Sequence, residues 1–143
     1  APFNKYTPNK YPVGCAATAG AIVMKYHGYP AKGTGCHSYK WDGKTLTAHF
    51  EHEYDWANMP VRYDGTNAAD FDGVARLMLD LGVAVDMQYA EDGSGSYISY
   101  YSSGQGYKRY HRQSLYLFGR EGRQYPGYLS DHRTGVLQHD DDC

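Results

Sequence analysis

Cysteine is scarce in this chain: three residues in 143, at Cys15, Cys36 and Cys143. An odd set cannot pair completely within one chain, which excludes the disulfide framework of small secreted domains and leaves at least one thiol over. A surplus of basic charge is missing too. Fourteen Lys and Arg stand against sixteen Asp and Glu, for a formal net charge of −2, so the electrostatic footprint of a nucleic-acid binder is absent. Long apolar runs are also lacking. The longest, AATAGAIVM, falls well short of the ~18 residues that a membrane span needs, which argues against a membrane anchor. The chain opens on Ala1 with no basic stretch leading into an apolar one, so the expectation is that any targeting segment has been removed or was never included. With 41% hydrophobic residues, 143 residues are enough for one globular core.

What is present centres on YPVGCAATAGAIVMKYHGYP, residues 11–30. From Cys15 onward, Ala16, Ala19, Ile22, Val23 and Tyr26 recur at three- and four-residue steps, predicting a helix with one apolar face. HGYP stops it, with Gly28 as the C-cap and Pro30 beyond. Cys15 then opens the helix. Unpaired backbone N–H groups and the positive end of the dipole favour a thiolate there and offer donors to an oxyanion. Position alone also allows the opposite reading, since free cysteine is among the most buried residue types and an Ala-rich helix makes Cys15 a small core residue.

Elsewhere the pattern reads as scaffold. Asn67 or Asp70 caps a second helix whose buried face is Phe71, Val74, Ala75, Leu77, Met78 and Leu81, closed by Gly82. Val83, Val85, Met87 and Tyr89 then alternate as in a half-buried strand before EDGSGS turns the chain. Trp56 is assigned to packing rather than to a cleft. A competing class is metal binding: Cys36, His37, His49 and His52, with Glu51 and Glu53 nearby, have a loose zinc-like spacing but lack the order of a His-Glu-x-x-His peptidase.

Four segments in order, APFNKYTP at 1–8, VGCAATAGAIVMKYHGYPAKGTG at 13–35, YDWANMP at 54–60 and VARLMLDLGVAVDMQYAEDGSG at 74–95, resemble the streptopain family of secreted bacterial papain-like cysteine peptidases. The resemblance covers residues 1 to about 97, and its most specific part is Gly-Cys-x-Ala-Thr-Ala followed by Met-Lys-Tyr-His-x-Tyr-Pro. It implies an α+β papain-like fold in which a helical half carries the cysteine and a sheet-rich half carries a histidine, with the site between them. Cys15 then corresponds to the nucleophile, acting on protein or peptide substrates through a thioester, with no cofactor and no metal. The resemblance also implies secretion, and synthesis as a zymogen whose propeptide is removed. A glutamine that helps to hold the oxyanion in the family stands ahead of the segment matching APFNKYTP.

The histidine of papain-type enzymes follows the cysteine by ~130 to 150 residues, and the family's Gly-Gly-His and Trp-Gly-Trp-Gly segments do not occur here. The expectation is therefore that the base lies beyond this chain. His139 sits in an acidic tail, and His111 and His132 stand in basic or turn-like contexts, so all three read as surface residues. His27 ends the cysteine helix, about 18 Å along its axis from Cys15. Residues 98–143 differ in character: five of the seven Arg and one of the seven Lys fall there, and residues 99–114 hold no aliphatic side chain. They are read as an atypical Tyr/Gly/Arg-rich tail, either flexible or the product of a shifted reading frame. The expectation is the nucleophile-bearing half of a cysteine peptidase, 1–97, with a catalytically incomplete fragment or binding remnant as the alternative.

Overall fold

The computed structural model describes residues 1–96. Two helices and one hairpin carry the architecture: α1 (Cys15–His27), β1 (Cys36–Trp41), β2 (Lys44–His49) and α2 (Asp72–Ala84), with single 3₁₀ turns at Pro2–Asn4, Pro8–Lys10 and Ala68–Phe71. This is the α+β arrangement the family resemblance implies.

α1 begins and ends where the sequence places it. Gly28 takes the left-handed conformation (φ 57°), its N–H bonding to the Lys25 carbonyl while the Tyr29 N–H reaches Met24, a Schellman closure. The face it buries is a different one from that predicted. Ala17, Ala21 and Met24 point inward, whereas Ile22, Val23 and Tyr26 are 64%, 49% and 84% exposed. The helix is apolar on both sides, and periodicity does not rank two apolar faces. Small size decides: a Cβ on Gly20 would lie 3.1 Å from Leu81 Cδ2, so α1 approaches α2 closely along Ala17, Gly20, Ala21 and Met24.

α2 and the 3₁₀ turn before it bury the face that the spacing predicts, Phe71, Val74, Ala75, Leu77, Met78 and Leu81. The end of α2 does not fall at Gly82. The helix runs on to Ala84, and Val83 is a buried helical residue rather than the first residue of a strand. Beyond it the chain makes an isolated bridge, Gln88 with Gly95, in place of the predicted strand. Gly82 is kept small by the returning chain, because a Cβ there would meet the Tyr89 hydroxyl oxygen at 2.1 Å.

The hairpin pairs β1 and β2 antiparallel in a register running from Cys36 opposite His49 to Trp41 opposite Lys44. Asp42 and Gly43 form its turn, both with positive φ (47° and 71°), as a two-residue turn matched to strand twist requires. Trp41 and Ala48 enter the core beside Phe50, Tyr54, Met59 and Met87. Trp56 packs against the same cluster and donates its indole N–H to the Pro30 carbonyl at 2.8 Å, in keeping with its assignment to packing. No described helix is long and apolar enough to cross a membrane. The predicted tail, with His111, His132 and His139, lies outside the described residues.

Candidate active site

The approach to Cys15 is built by residues that leave little freedom. Thr7, buried, donates its hydroxyl to the Asn4 and Tyr11 carbonyls at 3.1 and 2.6 Å, and Tyr11 meets Trp41 edge-on. The chain then turns at Gly14, with φ 85° and ψ 153°, a conformation that a side chain makes costly. Cys15 follows as the first residue of α1, exposed and with its thiol free.

Among the described residues, no side chain caps α1. The first turn is secured instead through Gly14, whose carbonyl accepts both the Thr18 N–H (3.1 Å) and the Thr18 hydroxyl (2.9 Å). The backbone N–H groups ahead of Thr18 are thus left at the positive end of the helix, beside the thiol, where they favour negative charge. An exposed sulfur at this terminus can attack a carbonyl carbon presented from solvent, and neighbouring N–H groups can receive the oxygen that becomes negative.

The segment that follows α2 lies against this turn. A Cβ on Gly14 would sit 2.6 Å from Met87 Sδ and 3.0 Å from the Ser94 carbonyl oxygen. Tyr39 of β1 donates its hydroxyl to the Met87 carbonyl at 2.6 Å, and burial holds that phenol protonated by raising its pKa. The sequence pattern carries no signal of a role for Thr18 or Tyr39, and it marks Met87 only as part of an expected strand that the structure does not form.

Three of the four described histidines are engaged elsewhere, and the fourth, His49, lies exposed on β2. His37 Nε2 pairs with Asp86 at 2.7 Å and His52 Nε2 with Asp80 at 2.8 Å, while His27 lies against the Tyr26 ring at the far end of α1. Tyr54 completes the second pair by donating to Asp80 at 3.1 Å. Burial pushes the Asp80 carboxyl above its ordinary value; His52, the Tyr54 hydroxyl and Arg76 oppose that rise without cancelling it. The zinc-like set does not come together. Cys36 is disulfide-bonded, His37 and His52 serve different carboxylates, and among the described residues no three His, Cys, Asp or Glu side chains are grouped to hold a metal ion.

Comparison with known proteins fits this geometry. The structure resembles active wild-type interpain A, a cysteine protease of Prevotella intermedia, with a TM-score of 0.59 at 30% identity, covering 80% of this chain and 60% of that one. A prointerpain A fragment from the same organism, a cysteine-to-alanine mutant, matches with a TM-score of 0.65 at 34% identity, over 82% of this chain and 39% of that one. The fold is that of the papain-like cysteine peptidases.

In sequence, streptopain of Streptococcus pyogenes is 35% identical over 95 residues, which is 58% of this chain and 23% of the relative. The thiol protease/hemagglutinin PrtT of Porphyromonas gingivalis is 29% identical over 106 residues, 67% of this chain and 12% of the relative. The Peptidase C10 family model matches residues 1–124, and the chain belongs to that family. The match runs past residue 97, where the sequence pattern sets its boundary. The chain spans less than a quarter of the length of streptopain.

Proposed function

We propose that this chain carries the nucleophile of a cysteine endopeptidase, with Cys15 as the attacking group. The observation that supports it most directly is an exposed free thiol on the first residue of α1, directly after a positive-φ glycine, inside the Gly-Cys-x-Ala-Thr-Ala run. In the reaction, the Cys15 sulfur adds to the substrate carbonyl carbon and the oxygen takes the negative charge beside the helix N–H groups. The C–N bond then breaks, and the amine leaves with a proton returned by an imidazolium. Water attacks the resulting thioester, giving a carboxylic acid and restoring the thiol.

The imidazole belongs to a sheet-rich half that completes the cleft. Support comes from α1 itself, where Ile22, Val23 and Tyr26 lie exposed on the helix that starts with Cys15. An apolar stripe of this kind suits packing against further protein better than contact with water. On this reading the whole enzyme is secreted, cleaves peptides or proteins, needs no metal or cofactor, and is held inactive by a propeptide.

The test is labelling of Cys15 by an epoxide inhibitor together with peptide hydrolysis, in this chain alone and in the chain extended or mixed with a histidine-bearing segment. Rapid stoichiometric labelling and hydrolysis are expected with that segment present, and Cys15→Ala is expected to abolish both. Hydrolysis that survives Cys15→Ala would refute the assignment. The second reading, a catalytically incomplete fragment, is favoured by the engagement of His37 and His52 with Asp86 and Asp80. It predicts slow labelling and no hydrolysis, with or without the histidine-bearing segment.

A further inference from the structure

We infer that Met87 is a positioning residue for Cys15: its thioether, packed on Gly14, fixes the peptide that aims the nucleophile. This rests on Cys15 being the nucleophile, and it names what keeps that thiol in place.

Gly14 is held from two sides. Toward the helix, its carbonyl accepts the Thr18 N–H and hydroxyl at 3.1 and 2.9 Å. On its open side, a Cβ would fall 2.6 Å from Met87 Sδ, 2.8 Å from Met87 Cε and 3.0 Å from the Ser94 carbonyl oxygen. A glycine at φ 85° has several other conformations within easy reach. The wall formed by Met87 and Ser94 restricts that freedom at the residue adjoining the thiol. An unbranched thioether suits the role, since it fills an irregular gap and conforms to the bare Cα it meets.

Met87 is itself immobilised. Its side chain is fully buried, its N–H donates to the Gly82 carbonyl at 2.9 Å, and its carbonyl accepts the Tyr39 hydroxyl at 2.6 Å. The chain beyond it is tied back as well: Gln88 and Gly95 exchange both backbone hydrogen bonds, and Trp41 donates its indole N–H to the Tyr89 carbonyl at 3.0 Å. Contact therefore passes from β1 and α2, through Met87, to the residue that precedes Cys15. Reactive geometries tolerate only about 0.5 Å of error. A supporting contact one residue away is within reach of that limit.

The experiment measures the rate of Cys15 alkylation by iodoacetamide as a function of pH, in the folded wild type and in Met87→Ala, Met87→Leu and Tyr39→Phe. With Met87→Ala, Cys15 alkylation is expected to slow about fivefold, the size of a helix-terminus interaction with negative charge on the sulfur. A purely structural role lowers the melting temperature without moving the profile. Met87→Leu, close in volume, is expected to restore the wild-type profile, and Tyr39→Phe to fall between.

A folded Met87→Ala that follows the wild-type profile overturns the inference, as does a Met87→Leu that is as slow as the alanine variant. If Met87→Ala does not fold, Tyr39→Phe decides, because it keeps the ring and removes only the hydroxyl that holds the Met87 carbonyl; an unmoved profile there overturns the inference too. The nucleophile assignment is scored separately, by whether hydrolysis survives Cys15→Ala.

Discussion

α1 and α2 have the same length, thirteen residues, and are opposite in how they use their apolar side chains. α2 buries nine residues and is finished by its neighbours, α1 on one side and the hairpin and N-terminal segment on the others. α1 buries three, all small or flexible, and leaves Ile22, Val23 and Tyr26 outside. Hydrophobicity alone therefore does not distinguish a helix buried on most sides from one buried along a single face. α2 is a scaffold element whose apolar surface is satisfied within the described residues. α1 is scaffold along one face and, along another on the side of its exposed thiol, leaves apolar surface uncovered among the described residues.

The sharpest way to break this contrast is to truncate matched aliphatic side chains on the two helices. Leu77→Ala on α2 removes a buried side chain and leaves a cavity, so a loss of about 2–5 kcal/mol is expected. Ile22→Ala on α1 is expected to change stability by less than about 0.5 kcal/mol, since the side chain is mostly in water. Urea unfolding of both variants checks the pair. An Ile22→Ala loss as large as that of Leu77→Ala would show that the exposed stripe is already covered, and the contrast between the helices would fail.

The same contrast explains what was legible in the sequence. The face of α2 could be read because its apolar residues share one side while Asp72 and Arg76 stay exposed, with Asp80 the one buried polar exception. For α1, both the start at Cys15 and the stop at Gly28 are local signals carried by neighbouring residues. Its buried face was read the wrong way round because the choice between Ala17/Ala21/Met24 and Ile22/Val23/Tyr26 depends on how near α2 can come, a tertiary quantity. The strand expected over Val83 to Tyr89 failed for a related reason. Burial on all sides imitates alternation, and the helix passes through Gly82 to leave room for Tyr89. Asp42-Gly43 is a strong two-residue hairpin signal, and the metal-like spacing of Cys36 and His49 reflects their pairing across the two strands. In the site, Cys15 was visible through the family run. Met87 and Tyr39 were not, since their proximity to Gly14 is created by contacts between residues far apart in the chain.

A smaller effect concerns Asp80, the buried carboxylate of α2. Because burial raises its folded pKa above the ordinary 3.8, the folded state holds its proton more tightly than the unfolded chain does. The associated stability is fully present below the unfolded value and is lost as pH rises through the higher folded one. Asp80→Asn keeps an acceptor for the Tyr54 hydroxyl and is expected to flatten that slope. Asp80→Ala leaves the hydroxyl without its partner and is expected to cost about 1–3 kcal/mol. Melting temperature against pH for the two variants separates the charge from the hydrogen bond. A wild-type slope retained in Asp80→Asn would assign it to another group.

The smallest effect lies at the other end of the same helix and has the opposite sign. Asp72, the first residue of α2, accepts from Lys5 and from the Tyr6 hydroxyl, and these bonds hold its carboxyl below the ordinary value. Its contribution is present above the unfolded pKa and is lost as pH falls through the depressed folded one. The pair is exposed, so water and salt screen it, and Asp72→Asn is expected to shift the melting temperature only slightly, and less as salt is raised. Acid titration of α2 thus sets an exposed aspartate that loses its contribution on protonation against a buried one whose protonation stabilises the fold. If burial governs the balance, Asp80→Asn steepens the loss of stability on acidification and Asp72→Asn moderates it. Equal and parallel changes in the two variants would mean that the helix N-terminus and the buried pair respond as one electrostatic unit.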